Sequence, residues 1–375
     1  MSVRVCRWGI LSTASIGRKN WQAIGRAGNA TVVAVASRTT ASANQYIDDN
    51  QQRFAFNPRP KAYGSYADLL DDPNVDAVYV PLPTGMRKEW VIRAAEAGKH
   101  VLCEKPCAVN AEDLRAMIEA CRKNKVQFMD GVMYMHTERM EALRSVVDDP
   151  NVVGDLKRIA TQFSFCAPPE FFQNNIRADS ALEPQGCLGD LGWYTIRFAL
   201  WIMQNEMPRV IRGRILSSVP STSGGNPIPT EFSGELIFEN GVSASFYNSF
   251  LTGHQQWAVV SGTKGLVQVN DFVLPIMSNS LSFESRVCDF NPSGWDFNME
   301  CYSERYATRE FSNMHETAQE TKLFRKFSDL VLRGKPDAYW PDIALRTQIV
   351  MDACLHSAQN GSVDIEIDAQ EFANV

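Results

Sequence analysis

Over its first 130 or so residues the chain alternates short apolar, β-branched runs with stretches of helical spacing, and this rhythm constrains the fold more than any other feature. Residues 3–11 are an apolar run, 16–27 have helical spacing, 31–37 read Thr-Val-Val-Ala-Val-Ala-Ser, and 41–50 are helix-like again. The pattern continues with a short helix at 66–70, a strand at 76–80, a helix at 87–97 closed by Gly98, and a strand at 99–103. A helix over 111–123 follows the cap-competent Asn110, and 126–130 make the next strand. Strands separated by helices of this length predict a parallel, right-handed, doubly wound sheet.

Beyond residue 132 the rhythm changes. One more helix is expected at 137–147, and then long alternating strands at 156–165, 210–218, 230–239, 242–250, 256–261 and 266–270. Asn240-Gly241 and residues 263–265 read as turns between strands, 217–229 as a surface loop, and helices return at 316–332 and 344–359. The expected architecture is therefore α/β followed by α+β. A Rossmann-type parallel sheet occupies residues 1–132. A substrate-binding and oligomerisation part, 133–375, is built on a large, mainly antiparallel open sheet, with a late helix free to pack back on the first part.

With 375 residues, 45% hydrophobic and 21% charged, the chain has enough apolar content for two domains of ordinary size. A formal net charge of -6 and no basic run of five residues argue against a nucleic-acid surface. No stretch approaches eighteen consecutive apolar residues, and Arg4, Arg7, Ser12 and Thr13 interrupt the start where a signal peptide needs an unbroken apolar segment. A cytoplasmic chain with no membrane partner is expected. The nine cysteines include no C-x-x-C pair, and their odd number forbids complete pairing, so they read as reduced, mostly buried side chains. Cys103 and Cys107 have only His100 nearby, so no metal site is expected.

Four segments carry candidate chemistry. After the first strand, Ser12-Thr13-Ala14-Ser15-Ile16-Gly17 stands where a dinucleotide fingerprint would read G-x-G-x-x-G, with only the third glycine kept. Ser12 and Ala14 are small enough for the backbone to approach a pyrophosphate at the start of the next helix, although a generic βα turn fits equally. At the end of the second strand, Ser37-Arg38 replaces the acidic residue that would read an NAD ribose. Ser37 can donate to a 2′-phosphate and Arg38 can pair with it, which favours NADP over NAD; the plain alternative is a solvated strand-end arginine. The turn after the fourth strand, Pro81, Leu82, Pro83, Thr84 and Arg87, opens on the same crevice. Finally, the strand His100-Val-Leu-Cys ends in Glu104-Lys105-Pro106, which places a lysine at the carboxyl end of a buried parallel strand.

Trp8-Gly-Ile-Leu-Ser-Thr-Ala-Ser-Ile-Gly17, Ala97-Gly-Lys-His-Val-Leu-Cys-Glu-Lys-Pro106, Met129-Asp-Gly-Val-Met-Tyr134 and Gly186-Cys-Leu-Gly-Asp-Leu-Gly-Trp-Tyr194 together resemble the Gfo/Idh/MocA oxidoreductase family across nearly the whole chain. The tyrosine of the last segment is similar to the branch of dihydrodiol dehydrogenases, NADP-dependent xylose dehydrogenases and glucose-fructose oxidoreductase. The resemblance implies Lys105 and Tyr194 as a catalytic pair and Asp190 beside the substrate. It also implies Glu104 and Pro106 shaping the turn under a nicotinamide, often with a cis Lys-Pro peptide, and Arg177 as a substrate-side arginine. The chain departs from the family at Pro83-Thr84-Gly85-Met86-Arg87, where Asn and His are common, and in its glycine-poor first loop.

Oxidising a secondary alcohol needs a base for the hydroxyl proton while hydride leaves carbon. Tyrosine and lysine have ordinary values near 10 and 10.4, so a Lys105 ammonium beside Tyr194 is expected to stabilise the phenolate. Asn175 and Trp193, with Tyr134, Phe171 and Phe172, are candidates for holding a sugar, cyclitol or aromatic diol, the aromatic faces stacking on its ring. Each residue has a bland reading: Tyr194 and Trp193 as core, Asp190 as a first-turn charge, His136 and His254 as structural histidines. A homodimer or homotetramer is expected through an apolar, uncovered face of the second sheet. Two rival functions share the architecture: a dinucleotide-binding sensor without turnover, and a scaffold that has lost the cofactor.

Overall fold

The computed structural model describes residues 4–367, so Val3 of the first predicted strand lies outside it. The first sheet comprises β1 (Cys6–Leu11), β2 (Ala30–Ala36), β3 (Lys61–Tyr63), β4 (Ala77–Val80), β5 (His100–Cys103) and β6 (Phe128–Asp130). Their order is β3-β2-β1-β4-β5-β6 with every pairing parallel. Helices cover both faces, which is why β4 is buried at all four positions and reads as a continuous apolar run. The order reverses between β1 and β4, and that reversal opens a crevice at the strands' carboxyl ends.

The second sheet comprises β7 (Leu156–Ser164), β8 (Val210–Val219), β9 (Ile228–Ile237), β10 (Ser243–Ser249), β11 (Gln255–Gly262), β12 (Gly265–Val269), β13 (Leu281–Ser293), β14 (Asp296–Thr308) and β15 (Ile365–Glu366). It runs β14-β13-β12-β11-β7-β10-β9-β8-β15, antiparallel throughout except for the central β7–β10 pair. The turn at Asn240-Gly241 is closed by Phe238 N–H donating to the Val242 carbonyl at 2.9 Å, with Gly241 at φ +79°. Helices Glu138–Val147, Trp193–Ile202 and Tyr339–Gln359 cover one face. Gly213 lets the last of these approach, since a Cβ there would lie 2.1 Å from the Cys354 carbonyl oxygen.

Several expectations are corrected. The uncovered sheet face is not apolar: Arg212, Glu235, Ser245, Ala160, Val259 and Gln268 form one cross-strand row, and Arg158 and Arg214 flank it. The β13–β14 hairpin was not foreseen, and it carries a disulfide, Cys288–Cys301, so two of the nine cysteines are paired. Six of the seven free cysteines are buried and Cys166 is exposed. The final helix starts at Tyr339 rather than 344 because Pro341 sits in its first turn, where no intrahelical N–H bond is lost.

The helix Gln319–Arg333 returns to the first sheet. Phe324 and Phe327 pack on Trp8 with ring centroids 5.1 and 5.0 Å away, and the Trp8 indole N–H donates to the Ser328 hydroxyl at 3.0 Å. Among the described residues no helix is long and apolar enough to cross a membrane, and no group of three or more His, Cys, Asp or Glu is placed to hold a metal.

Candidate active site

A cleft of about 700 Å³ opens where the loops of the first sheet meet the second part of the chain. The turn after β1 forms one wall. Ser12 adopts φ +127°, a conformation that favours glycine and costs a residue with a side chain about 1–3 kcal/mol. Its N–H donates to the Ala36 carbonyl at 3.0 Å and its hydroxyl accepts from Ala14 N–H at 3.2 Å, so the strained turn is held from both sides. The helix Ser15–Arg26 then begins with no side-chain cap and no acid in its first turn. Its leading amides have no side-chain cap, an arrangement suited to an anion. Gly17, the one fingerprint glycine retained, is required by packing: a Cβ there would meet the Tyr46 hydroxyl at 2.5 Å.

Ala14, Ser15 and Ile16 line the cleft, whereas Ser12 and Thr13 are not among its walls. Ser37 is buried at the end of β2 and Arg38 is exposed beside it, both outside the cleft walls. Pro81, Leu82 and Pro83 line the cleft.

Thr84 and Arg87 have different duties from those expected. The Thr84 N–H and hydroxyl donate to the two oxygens of Glu183 at 3.0 and 2.6 Å, so a carboxylate from the second part already occupies the start of helix Thr84–Glu96. Arg87 is buried and donates to the Leu82 carbonyl at 2.7 Å, to Thr84 Oγ1 at 3.0 Å and to the Pro106 carbonyl. Its guanidinium ties two loops together, and the residue also lines the cleft. Gly85 permits the docking, since a Cβ would lie 2.3 Å from the Ala181 carbonyl oxygen.

The end of β5 supplies the floor. Glu104 accepts from the Tyr79 hydroxyl at 2.5 Å and from the Lys105 amide at 3.2 Å, and Asn20 Nδ2 donates to the Tyr79 oxygen at 2.7 Å. Burial first, and then the Glu104 charge, push the Tyr79 phenol well above its usual value, so it remains the donor of this pair. The Lys105–Pro106 peptide is cis.

Lys105 Nζ reaches across the cleft, donating to the Asp190 carbonyl at 2.6 Å and to Asp190 Oδ1 at 2.8 Å. It also lies 4.5 Å from the centroid of the Tyr194 ring. Asp190 Oδ2 accepts from Arg177 Nε at 2.7 Å, so one carboxylate holds two cations. Burial works to raise the Asp190 value, but the charges of Arg177 and Lys105 overcome it and hold the carboxyl well below the ordinary range. Asp190 stands on a widened π-type turn, Leu188–Gly192, of a kind that recurs at functional sites, and this runs directly into helix Trp193–Ile202.

The expected stabilisation of a Tyr194 phenolate by Lys105 is not what this arrangement provides. The ammonium faces the ring rather than the hydroxyl, and the hydroxyl's neighbour is Met133 Sδ at 3.7 Å. Burial, followed by the negative charges of Glu104 and Asp190, drives the phenol well above 10, so it stays protonated.

Trp193 and Tyr134 are corrected from substrate-binding candidates to core. Trp193 is fully buried and donates its indole N–H to Asp130 Oδ2 at 2.9 Å, while the buried Tyr134 hydroxyl donates to the Tyr194 carbonyl at 3.1 Å. Asn175 and Arg177 do line the cleft. A second cavity of about 430 Å³ shares Lys105, Arg177, Asp190 and Tyr194 with it and is walled by Phe163, Phe165 and Phe171. Phe171 was foreseen there; Phe172 is not among its walls. His254 is exposed and borders this cavity, whereas the half-buried His136 stacks with its ring centroid 4.6 Å from that of Trp340, its value lowered by desolvation to about 3.

Residues that local reading missed come from distant segments: Lys19 and Glu320, which form an ion pair, with Leu323, Glu183 and Leu274. Nothing in their neighbourhoods marks them, because the late helix and the 271–280 loop reach the cleft only through tertiary packing.

Residues 6–132 match the model described as "Oxidoreductase family, NAD-binding Rossmann fold", and residues 140–268 match the GFO/IDH/MocA C-terminal domain. The chain belongs to the GFO/IDH/MocA oxidoreductase family. It is similar to D-xylose 1-dehydrogenase (NADP(+)) 2 of Haloferax volcanii, 29% identical over 96% of this chain and 99% of that one. It is 33% identical to trans-1,2-dihydrobenzene-1,2-diol dehydrogenase of Mus musculus, over 72% of this chain and 76% of the relative. Among solved structures, KijD10, a 3-ketoreductase from Actinomadura kijaniata in complex with NADP and TDP-benzene, superposes with TM-score 0.78 at 23% identity, covering 94% of this chain and 98% of that one. Aldose-aldose oxidoreductase from Caulobacter crescentus superposes with TM-score 0.77 at 22% identity, covering 97% and 100%. As a GFO/IDH/MocA protein the chain is an NAD(P)-dependent oxidoreductase, and the crevice between β1 and β4 is where a Rossmann sheet receives its dinucleotide.

Proposed function

We propose that this protein transfers hydride between NADP, with NAD as the weaker alternative, and a secondary alcohol or hemiacetal carbon of a sugar, cyclitol or diol, with Lys105 and Tyr194 as the catalytic pair. Residues 1–132 serve as the cofactor part and 133–375 as the substrate and oligomerisation part. The observation that carries the reading is the meeting of Lys105, from the end of β5, with Tyr194, from a helix of the second part, 4.5 Å apart at the junction of two connected cavities. The relatives' names, a NADP(+) xylose dehydrogenase and a dihydrobenzenediol dehydrogenase, agree with it.

A bound nicotinamide would supply or receive the hydride. The uncapped start of helix Ser15–Arg26 would hold the pyrophosphate, and Ser37 with Arg38 a 2′-phosphate. Lys105 has three N–H donors and spends two on Asp190, which leaves one for the substrate oxygen. Tyr194, kept protonated by burial, gives its proton to a carbonyl oxygen in reduction; oxidation needs the phenolate, which the positive charge of an oxidised nicotinamide bound beside it would favour. Asp190 positions Lys105 and Arg177, and Arg177 with Asn175 meets further hydroxyls. Phe163, Phe165 and Phe171 offer faces to a ring.

The Tyr194→Phe variant is expected to lose about 10²–10⁴-fold in turnover, read by NADPH oxidation and NADP reduction, with NADPH affinity little changed. The Arg38→Ala variant is expected to weaken NADPH by roughly 10- to 100-fold, the worth of a charged hydrogen bond, and NADH by less than about 2-fold. Equal losses in the two fluorescence titrations would show that Arg38 does not read the phosphate. The function itself is tested by screening NADP reduction over aldoses, inositols and aromatic diols. Tight NADPH binding without turnover on any of them favours a sensor, and no NADPH binding at millimolar levels favours a scaffold.

A cytoplasmic location and a homodimer or homotetramer formed through the second sheet complete the proposal. Light scattering that gives a monomer mass at micromolar concentration would remove the oligomer.

A further inference from the structure

The β13–β14 hairpin has a feature that the active site does not use. β13 pairs with β12 only as far as Val287, so beyond that point the two strands have no sheet neighbour but each other. Residues 288–302 therefore project as a free arm, about 20 Å long over the six residues 288–293 at 3.3 Å per residue. An isolated two-stranded ribbon is marginal in water.

The arm is two-sided. Residues opposite one another in an antiparallel pair share a face, and the register sets Cys288 against Cys301, Phe290 against Met299, and Pro292 against Phe297. The other face carries Asp289 with Glu300 and Asn291 with Asn298. One side suits water and the other does not. Phe290, Trp295 at the tip, Phe297 and Met299 are 58%, 98%, 76% and 66% exposed.

The register also fixes where the apolar side points. Cys288, Phe290 and Pro292 continue the row of Glu284 and Arg286, which pair with Gln268 and Leu266 on the sheet face that no helix covers. That same face presents Ala160, Trp257, Val259 and Leu266, all half-buried. The arm is thus a continuation of the open face, directed past the edge of its own sheet.

Magnitude selects the occupant. At about 200 Å² per large side chain, the four exposed arm residues leave roughly 600 Å² uncovered, the upper end of what a monomer tolerates. A single arm, counted with the matching surface it covers, buries roughly 1,200 Å², only the lower bound of a standard interface. Two arms exchanged about a twofold axis bury roughly 2,400 Å², within the range of permanent homodimers, before any other sheet contact is added.

We propose that the hairpin arm 288–302 is a dimer clasp, seating its apolar side on the Ala160, Trp257, Val259 and Leu266 patch of a second copy of this chain. The inference rests on the oligomeric reading above and adds a specific element to it. The acids on the arm's other side stay in water as the rim of the contact.

Sedimentation velocity of the full chain tests this with the variant Phe290→Ser, Trp295→Ser, Phe297→Ser. The native chain is expected to dimerise at micromolar concentration, and the variant's dissociation constant to rise at least about 100-fold, with NADPH affinity unchanged as evidence of an intact fold. A variant that dimerises within threefold of the native chain overturns the clasp while leaving the sheet-mediated oligomer in place. A native chain monomeric at 100-fold higher concentration, about 100 µM or more, overturns both and assigns the arm to another partner. A second measurement needs no variant: hydrogen exchange of the native chain at nanomolar and at high micromolar concentration. Protection of 288–302 and 257–266 that grows with concentration is the expected result, and equal exchange at both concentrations refutes the clasp.

Discussion

Replacing Lys105 with Met is expected to lower turnover by at least about 10³-fold while NADPH affinity stays within several-fold. Methionine is unbranched and fills the same channel, so the change removes a charge and its donors with little change of shape. The fold should tolerate it, because Asp190 retains Arg177 as a partner at 2.7 Å and is not left as an unpaired buried charge. What disappears is the one N–H left over for the substrate oxygen. A preorganised donor aimed at developing negative charge is commonly worth about 2.7–4 kcal/mol, and each 1.36 kcal/mol is a factor of ten in rate. Steady-state kinetics together with NADPH fluorescence titration check both halves. Unchanged turnover would remove Lys105 from the reaction, and lost NADPH binding would show that its role lies in holding the cofactor.

The Asp130→Asn variant is expected to destabilise the protein by about 3–5 kcal/mol, read as a lowered urea midpoint at unchanged slope. Asp130, at the end of β6, and Arg197, on helix Trp193–Ile202, form an ion pair at 2.7 Å with no exposure on either side. Besides Asp130, Arg197 donates to the Thr347 hydroxyl at 2.8 Å and lies 5.9 Å from the centroid of the Trp193 ring, and neither brings a negative charge. An amide at position 130 would leave a guanidinium buried without its counter-ion. The same carboxylate anchors Trp193, the residue next to Tyr194, so this pair sets the helix that brings the phenol to the cleft. A loss of less than about 1 kcal/mol would mean that packing alone positions that helix.

The parallel sheet was legible because its signal is local. β1, β2, β4, β5 and β6 are short apolar runs between amphipathic helices, and their ends fall within two or three residues of the predicted ones. The three-residue β3 escaped because an exposed or half-buried edge strand needs no apolar run. The outlying arm of β13 and β14 escaped for the opposite reason: its apolar residues answer to no partner within the chain, so their spacing cannot be read as burial.

The active-site residues divide in the same way. Lys105, Asp190 and Tyr194 stand in compact segments and were named from them, and they meet as the geometry requires. Trp193 and Tyr134 were misread because an aromatic beside a site and an aromatic inside the core have the same local signature. The structural bonds of Arg87 and Thr84 were not legible locally because their partners, Pro106 and Glu183, are 19 and 99 positions away.

Alternation and turn chemistry were enough, read from the sequence alone, for the parallel sheet and most of the second one, since each strand or helix depends on neighbours within one element, while the family and the placing of Lys105 beside Tyr194 came from the resemblance of four motif segments. Only the tertiary structure decided that the phenol is protonated, that one carboxylate restrains both cations, that the open sheet face is mixed, with charged residues beside an apolar patch, and that the late helix closes the cleft. Electrostatics and burial depend on everything within several ångströms, and in a chain crossing twice between two sheets most of those neighbours are far away in sequence.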